Sequence, residues 1–235
     1  MKNTIKLLIA TASVALLTAC GGGGGGGGTP AVVASTSTFN ILAAYVSTFT
    51  STSVNPFTIT GTSGSTAITG SGTATVGSVT NGTFEGNAAL RRSTTVTGSF
   101  TGNGQTVPLN GTSVSWTDSN YVPLGSVDDE YTVINGTPTL PTAARVGDTG
   151  PVYTANRFTS SAKTTPLGTV TSTYVVEADT ASTALVTLIN TYKNTSNTTT
   201  KISSAQFRIT TGNSFTRIKE TLLDYSNNLN LTLGY

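Results

Sequence analysis

The stretch TFEGNAALRRSTTVTGSFT, residues 83–101, is the longest run of alternating side chains in this sequence. Its even positions, from Phe84 to Phe100, are mostly apolar or small, whereas its odd positions are mostly polar. This period of two is typical of a β-strand. The run exceeds the usual strand length of about three to ten residues, so we expect one long, bent strand in a strongly curved sheet. Glycines on the predicted inner face would permit a bend or the close approach of another element; they are Gly70, Gly72, Gly86 and Gly98.

The same alternation recurs on both sides of this run, in residues 57–60, 68–76 and 229–235. Threonine, whose β-branched side chain suits a pleated surface, is the most frequent residue. One polar and one apolar side per strand indicates an antiparallel sheet with one wet face. The sequence therefore predicts a mainly β protein, built as a curved antiparallel meander sheet or half-barrel.

One helix is expected before the strands, over residues 38–50. Its apolar side chains recur at spacings of three and four, which predicts one packed face; they are Phe39, Leu42, Val46 and Phe49. Ser37 or Thr38 would cap the helix. We expect this amphipathic helix to pack on the sheet. A membrane-surface helix is the weaker alternative, because its polar side has no Lys or Arg.

Turn signals divide the β region. Asn81-Gly82 and residues 102–104 are predicted hairpin turns, and the alternation changes parity at Asn110-Gly111, which predicts a bulge or a turn. Residues 117–150 are less regular and predict a long excursion within one domain, residues 36–235.

The first residues form an export signal. Lys2 and Lys6 precede an apolar run over residues 7–17, which is too short to span a bilayer, and small residues follow before Cys20, the single cysteine. We expect residues 1–19 to be a signal peptide. Gly21 to Gly28 follow Cys20 directly, and glycine resists ordering, so residues 20–35 are predicted to be a tether.

The sequence Leu17-Thr18-Ala19-Cys20 resembles the lipobox of bacterial lipoproteins. The resemblance implies that Cys20 is lipidated, that the signal is removed before it, and that the membrane is a partner through this anchor. Gly21 stands where Asp would favour retention in the inner membrane, so the resemblance implies an outer-membrane lipoprotein.

A second resemblance covers about residues 38–116. The order of one helix and then long, glycine-containing antiparallel strands is similar to lipoprotein carriers of the LolA and LppX type. These are half-barrels that hold a helix and an apolar ligand in the concave face. No functional residue is implied by this likeness.

Composition argues against several function classes. The chain has no histidine, the commonest general base and transition-metal ligand, so we expect no metal site, no cofactor and no enzyme. From Cys20 onward ten basic and ten acidic residues balance without a basic cluster, which argues against nucleic-acid binding.

A few charged residues still need an explanation. Alternation places Arg92 on the apolar side, where it would line a cavity and meet a lipid head group; alternatively the strand breaks near Ala89 and Arg92 is exposed.

Asp148-Thr149-Gly150 spells an aspartic-protease triplet, but one copy favours a turn. The carboxylates of residues 128–130 could bind Ca²⁺, although a solvated loop fits better.

The expected function is that of a non-enzymatic, membrane-anchored lipoprotein of the cell envelope that binds a lipid or another apolar ligand. Two alternatives stay open. The first is a surface adhesion or structural component with a threonine- and serine-rich exterior. The second is a hydrolase that uses carboxylates alone, with Asp118, residues 128–130, Asp148 and Glu177 as the available groups.

Overall fold

The structure is a computed structural model that describes residues 34–235. It contains one helix, α1 (Ile41–Thr50), and thirteen strands. The first seven strands are β1 (Ser53–Ser63), β2 (Thr66–Val76), β3 (Thr80–Phe84), β4 (Asn87–Gly102), β5 (Gln105–Thr117), β6 (Pro123–Val127) and β7 (Tyr131–Asn135). The remaining six are β8 (Thr149–Phe158), β9 (Pro166–Ala178), β10 (Thr183–Lys193), β11 (Thr199–Thr210), β12 (Phe215–Asp224) and β13 (Leu229–Gly234). The mainly β prediction is confirmed.

The sheet is closed into a 12-strand antiparallel barrel. Each strand from β4 to β13 pairs with the next, β13 then pairs with β1, and β2 pairs with both β1 and β4, which closes the circle. β3 pairs with β4 alone and stands outside the circle. The barrel is thus more closed than the predicted curved sheet or half-barrel.

Alternating residues of the barrel strands point inward and form its core. An apolar cluster joins β1, β2, β4, β5, β12 and β13, and its buried members include Phe57, Ile59, Phe100, Leu222 and Leu231. Two of the predicted inward glycines lie where β2 meets β4. A Cβ on Gly70 would lie 2.4 Å from the Ser99 oxygen, so only glycine permits this approach of the strands. Gly98 makes the equivalent approach to the Ser71 oxygen, at 2.4 Å.

The long run at residues 83–101 is two strands rather than one, so the prediction of a single strand is wrong. The chain reverses at Glu85 and Gly86, whose φ angles of 51° and 78° form the tight turn between β3 and β4. Gly86 therefore serves a turn, not an inner face. The predicted turn at Asn81-Gly82 is also wrong, because both residues lie within β3. Gly82 is needed there because the Trp116 ring lies 2.7 Å from where its Cβ would be.

The switch of apolar residues from odd to even positions at Asn110-Gly111 is caused by neither a bulge nor a turn. β5 passes through these residues in unbroken register with β4. The apolar side chains that follow, Val114 and Trp116, point outward instead, because each pairs with an outward residue of β4. β3 covers Trp116: Phe84 stacks between Trp116 and Tyr131, with ring centroids 5.7 and 5.5 Å away.

α1 packs on the sheet, against the inward-facing side chains of the barrel. Ile41 and Ala44 pack against the inward residues of β9, β10 and β11, while the Thr48 oxygen accepts a hydrogen bond from Arg92 of β4. The helix begins later than predicted, because Asn40 caps it by accepting a bond from the Ala43 N–H at 2.9 Å. The only exposed side chains of α1 are Ser47 and Thr50.

The irregular stretch at residues 117–150 contains β6 and β7, which continue the barrel, and a loop over residues 136–148. Ala144 in this loop forms a β-bridge with Phe39. Residues 1–19, Cys20 and the glycine run lie outside the described residues. Ser35, the last residue of the predicted tether, is buried and accepts a hydrogen bond from the Ser37 N–H.

Candidate functional site

A cavity of about 210 Å³ lies between α1 and the barrel wall. We call it the lumen cavity. Its apolar lining is provided by α1, by the loop before β8 and by several strands, and includes Phe49, Leu140, Val152, Leu188, Phe207 and Phe215. Its polar lining includes Tyr45, Arg92, Tyr153, Asn190, Arg217 and Glu220. An apolar cavity with a few converging polar groups is the ordinary form of a small-molecule site.

Arg92 lies in the lumen cavity, on the inward face of β4. The strand does not break near Ala89, so the alternative of an exposed Arg92 is wrong. Its Nη1 donates to the Thr48 oxygen, and its guanidinium carbon lies 4.5 Å from the centre of the Phe49 ring. Burial lowers the pKa of Arg92. None of the four ion pairs within residues 34–235 includes it.

Arg217 and Glu220 form an ion pair at the same cavity. Arg217 Nη1 lies 2.5 Å from Glu220 Oε1, and the Tyr235 hydroxyl donates to Glu220 Oε2 at 3.1 Å. The Arg217 guanidinium also lies over the Tyr235 and Phe207 rings. Burial raises the pKa of Glu220 to about 7, although Arg217 acts against this shift. This second cation of the cavity therefore has its own counter-charge.

Two tyrosines place hydroxyl groups in the lumen cavity. Tyr153 donates to Asn190 Oδ1 at 3.5 Å, and burial raises the pKa of Tyr153 to about 12. Burial also raises the pKa of Tyr45, on α1. Both hydroxyls are therefore neutral at physiological pH and add hydrogen-bonding groups without charge.

A second group of charges lies near the barrel end formed by the β10–β11 and β12–β13 turns. We call it the end cluster; it consists of Glu130, Arg157, Tyr192, Lys201 and Asp224. Arg157 donates twice to Glu130, with both nitrogen–oxygen distances 2.7 Å. The Tyr192 ring lies between two cations, 4.9 Å from the Arg157 guanidinium and 3.9 Å from Lys201 Nζ. Burial lowers the pKa of Lys201, while the neighbouring Glu130 raises it.

The acidic loop predicted to be solvated contributes to this end cluster. Asp129 is exposed, but Glu130 is paired with Arg157, and the Asp128 carboxylate accepts the Glu130 N–H at 2.8 Å. Burial raises the pKa of Asp128 to about 6. In the part of the chain that the structure describes, no three acidic, Cys or His residues are placed to hold a metal ion.

The other carboxylates considered for hydrolysis hold the backbone or outer side chains. Asp118 accepts the N–H groups of Asn120 and Val122, and Asp148 accepts that of Arg145, which makes the DTG segment a turn before β8. Glu177 accepts hydrogen bonds from Thr187 and Gln206. The structure does not bring these carboxylates to the lumen cavity, whose lining includes Glu220 instead.

Sequence reasoning found Arg92 but missed Arg217 and Glu220. These two are three residues apart and so fall on opposite faces of a regular strand. A bulge in β12 brings them together, because Gln206 and Phe207 pair with Lys219 and Arg217 and leave Ile218 without a partner in the register. No local pattern of the sequence indicates this bulge.

Comparisons of the chain with protein-family models, curated proteins and solved structures found no match in any of the three. Within residues 34–235 no helix has both the length and the hydropathy needed to cross a membrane.

Proposed function

We propose that this protein is a non-enzymatic lipoprotein of the outer membrane, anchored through lipid on Cys20, whose barrel binds an apolar small molecule or lipid in the lumen cavity. The observation that supports binding is a cavity with apolar walls on several strands and on an internal helix. Arg92, Tyr45 and Tyr153 supply the few polar groups that would orient a ligand there. The anchor is supported by the sequence before and after Cys20.

Two measurements on the full-length protein test this proposal separately. Cells grown with radioactive palmitate should label the wild type and not a Cys20→Ala variant; equal labelling of both would remove the anchor. Native mass spectrometry of the purified protein should show a retained ligand, and a Phe207→Trp variant, which fills the cavity, should reduce it. A bare polypeptide mass that no added apolar compound changes would remove the binding function.

A surface adhesion or structural role is the second candidate, favoured by the outer face of the barrel. Hydroxyl side chains lie in one cross-strand row on six neighbouring strands; they are Thr221, Thr232, Thr60, Thr69, Thr101 and Thr106. Stretches of strand with a neighbour on one side only include β3 and residues 105–113 of β5, which pair with β4 but not with β6. Protease treatment of intact cells tests this role: cleavage of the wild type supports exposure at the surface, whereas full protection in intact cells with cleavage after lysis opposes it.

A further inference from the structure

We propose that the lumen cavity selects an anion, namely a small molecule with one carboxylate and a compact apolar body, and that Arg92 determines this selectivity. The inference rests on the proposed binding function and adds the chemical class of the ligand. It follows from the balance of charge in the cavity, the unused donors of Arg92 and the cavity volume.

The charges that line the cavity do not cancel. Arg217 is matched by Glu220, which lies 2.5 Å away. Arg92 has no carboxylate within 4.0 Å among the described residues. A buried charge is normally paired, because taking an ion out of water is costly. The cavity therefore has an excess of one positive charge, which a monoanion would neutralise.

The guanidinium of Arg92 also has N–H donors that the described residues do not use. A guanidinium carries five N–H donors in a planar fork that matches the two oxygens of a carboxylate. The described residues accept from it once, at the Thr48 oxygen. Its guanidinium carbon lies over the Phe49 ring, 4.5 Å from the ring centre, which restricts where the guanidinium group can lie. Thr48 and Phe49 thus orient Arg92 and leave donors for a ligand.

The other residues that line the cavity, and its volume, indicate what the rest of the ligand must be. Leu188, Phe207 and Phe215 provide apolar surface, and the hydroxyls of Tyr45 and Tyr153 add hydrogen-bonding groups without charge. The volume is about 210 Å³. Since a cavity of about 150 Å³ holds benzene, there is room for one ring and a carboxylate. A whole phospholipid does not fit while α1 occupies the barrel.

The end cluster differs from the lumen cavity, because its cations already have carboxylates near them. Arg157 is already paired with Glu130 through two hydrogen bonds. Among the described residues Lys201 has no carboxylate within 4.0 Å either, but three carboxylates, those of Glu130, Asp128 and Asp224, act on its charge, whereas no described carboxylate acts on that of Arg92. The protein supplies the counter-charges itself, so no ligand is required.

Calorimetric titration of the full-length protein with benzoate and with benzamide tests the inference, because the two probes have nearly the same shape and differ in charge. We expect the wild type to bind benzoate at least tenfold more tightly than benzamide. Arg92→Gln should abolish this preference and leave benzamide binding intact. Arg92→Lys should keep a weaker preference, which guards against a general loss of folding in the glutamine variant.

Arg91→Gln is the matched control, since Arg91 is the preceding residue but points outward over Trp116, at 6.0 Å. It should leave the preference for benzoate unchanged. Equal affinity of the wild type for both probes, or a benzoate preference that survives in Arg92→Gln, would overturn the inference and leave apolar binding in place. Failure of the wild type to bind either probe at millimolar concentration would overturn the binding function as well.

Discussion

The lumen cavity and the end cluster each place a cation against an aromatic ring, partly buried in the first and buried in the second, but they differ in how the positive charge is balanced. Arg157 and Arg92 lie 4.9 and 4.5 Å from the ring centres of Tyr192 and Phe49. Arg157 is paired with Glu130 through two hydrogen bonds, whereas Arg92 is bonded to a backbone oxygen. Charge that is balanced within the fold stabilises it, and charge that is left unbalanced in a cavity is available to a ligand.

The largest expected effect comes from breaking the balance in the end cluster. Glu130→Gln leaves Arg157 buried without a counter-charge, and breaking a buried pair in this way costs about 3–5 kcal/mol of unfolding free energy. For a chain of this size, the midpoint of thermal unfolding should fall by roughly 10 °C. Circular dichroism during heating measures the change.

Asp179→Asn is the control for this variant. Asp179 also accepts two hydrogen bonds from an arginine, Arg208, at 2.6 and 3.0 Å, but Arg208 is 45% exposed. Removing an exposed pair costs about 1 kcal/mol or less. Equal losses in the two variants would contradict the view that burial makes the Glu130–Arg157 pair important.

Removing the charge of Asp128 should stabilise the protein, whereas removing that of Glu130 should destabilise it, because the Asp128 carboxylate is removed from water and its charge lowers the unfolding free energy. Burial raises its pKa from 3.8 to about 6. The folded state therefore binds more protons than the unfolded state between about pH 4 and pH 6, so this carboxyl lowers stability as the pH rises through that range. Asp128→Asn should stabilise the protein by about 2–3 kcal/mol at pH 8 and by almost nothing at pH 4.

Chemical denaturation at the two pH values checks this prediction. Asparagine keeps the side-chain oxygen that accepts the Glu130 N–H, so the variant isolates the charge. Asp129→Asn, at the exposed neighbouring position, should give the same stability as the wild type at both values. A benefit of Asp128→Asn that does not depend on pH would refute the assigned cause.

The difference between these regions also shows what could be predicted from sequence. Period-two alternation identified the β class and placed Arg92 on the inner face, because the parity of one strand follows from its own residues. The closure of the barrel could not be predicted, since it depends on pairing between β2 and β4 and between β1 and β13. The turn at Glu85-Gly86 was missed because Phe84 continues the series of apolar even positions, although its pairing with Asn87 places it on the outer face.

Interactions distant in sequence explain the other errors. Trp116 looks like an inward residue until Phe84 of β3 is seen to cover it on the outside. Glu130 looks solvated until Arg157, 27 residues later, is placed against it. The Arg217–Glu220 pair depends on a bulge whose register is set by β11. In each case the local residues were interpreted correctly as a strand or loop, but their partner was unknown.

Arg92 should contribute little to stability, in contrast to Glu130. Arg92→Met keeps the length of the side chain and removes a charge that the fold does not balance, while it loses the bond to Thr48 and the contact with Phe49. These terms oppose each other, so we expect the unfolding free energy to change by about 1 kcal/mol or less. Urea denaturation beside Glu130→Gln measures the contrast. A loss as large as that of Glu130→Gln would make Arg92 a structural anchor for α1 rather than a ligand-binding group.

The smallest expected effect is a dependence of anion binding on pH, because the counter-charge of the cavity can itself be switched off. Burial raises the pKa of Glu220 to about 7, so this carboxylate takes up a proton as the pH falls from 8 to 6. The other ionisable groups around the cavity are Arg92, Arg217, Tyr45, Tyr153 and Tyr235. The arginines stay charged, and burial holds the pKa of each of these tyrosines above its usual value.

The cavity therefore becomes more positive at pH 6, and benzoate, whose own carboxyl is ionised throughout, should bind about fivefold more tightly than at pH 8. Benzamide binding should not change. In Glu220→Gln the pH dependence should disappear, with the affinity for benzoate fixed at the tighter value. A pH response that persists in Glu220→Gln would assign the titration to another group and separate the Arg217–Glu220 pair from ligand binding.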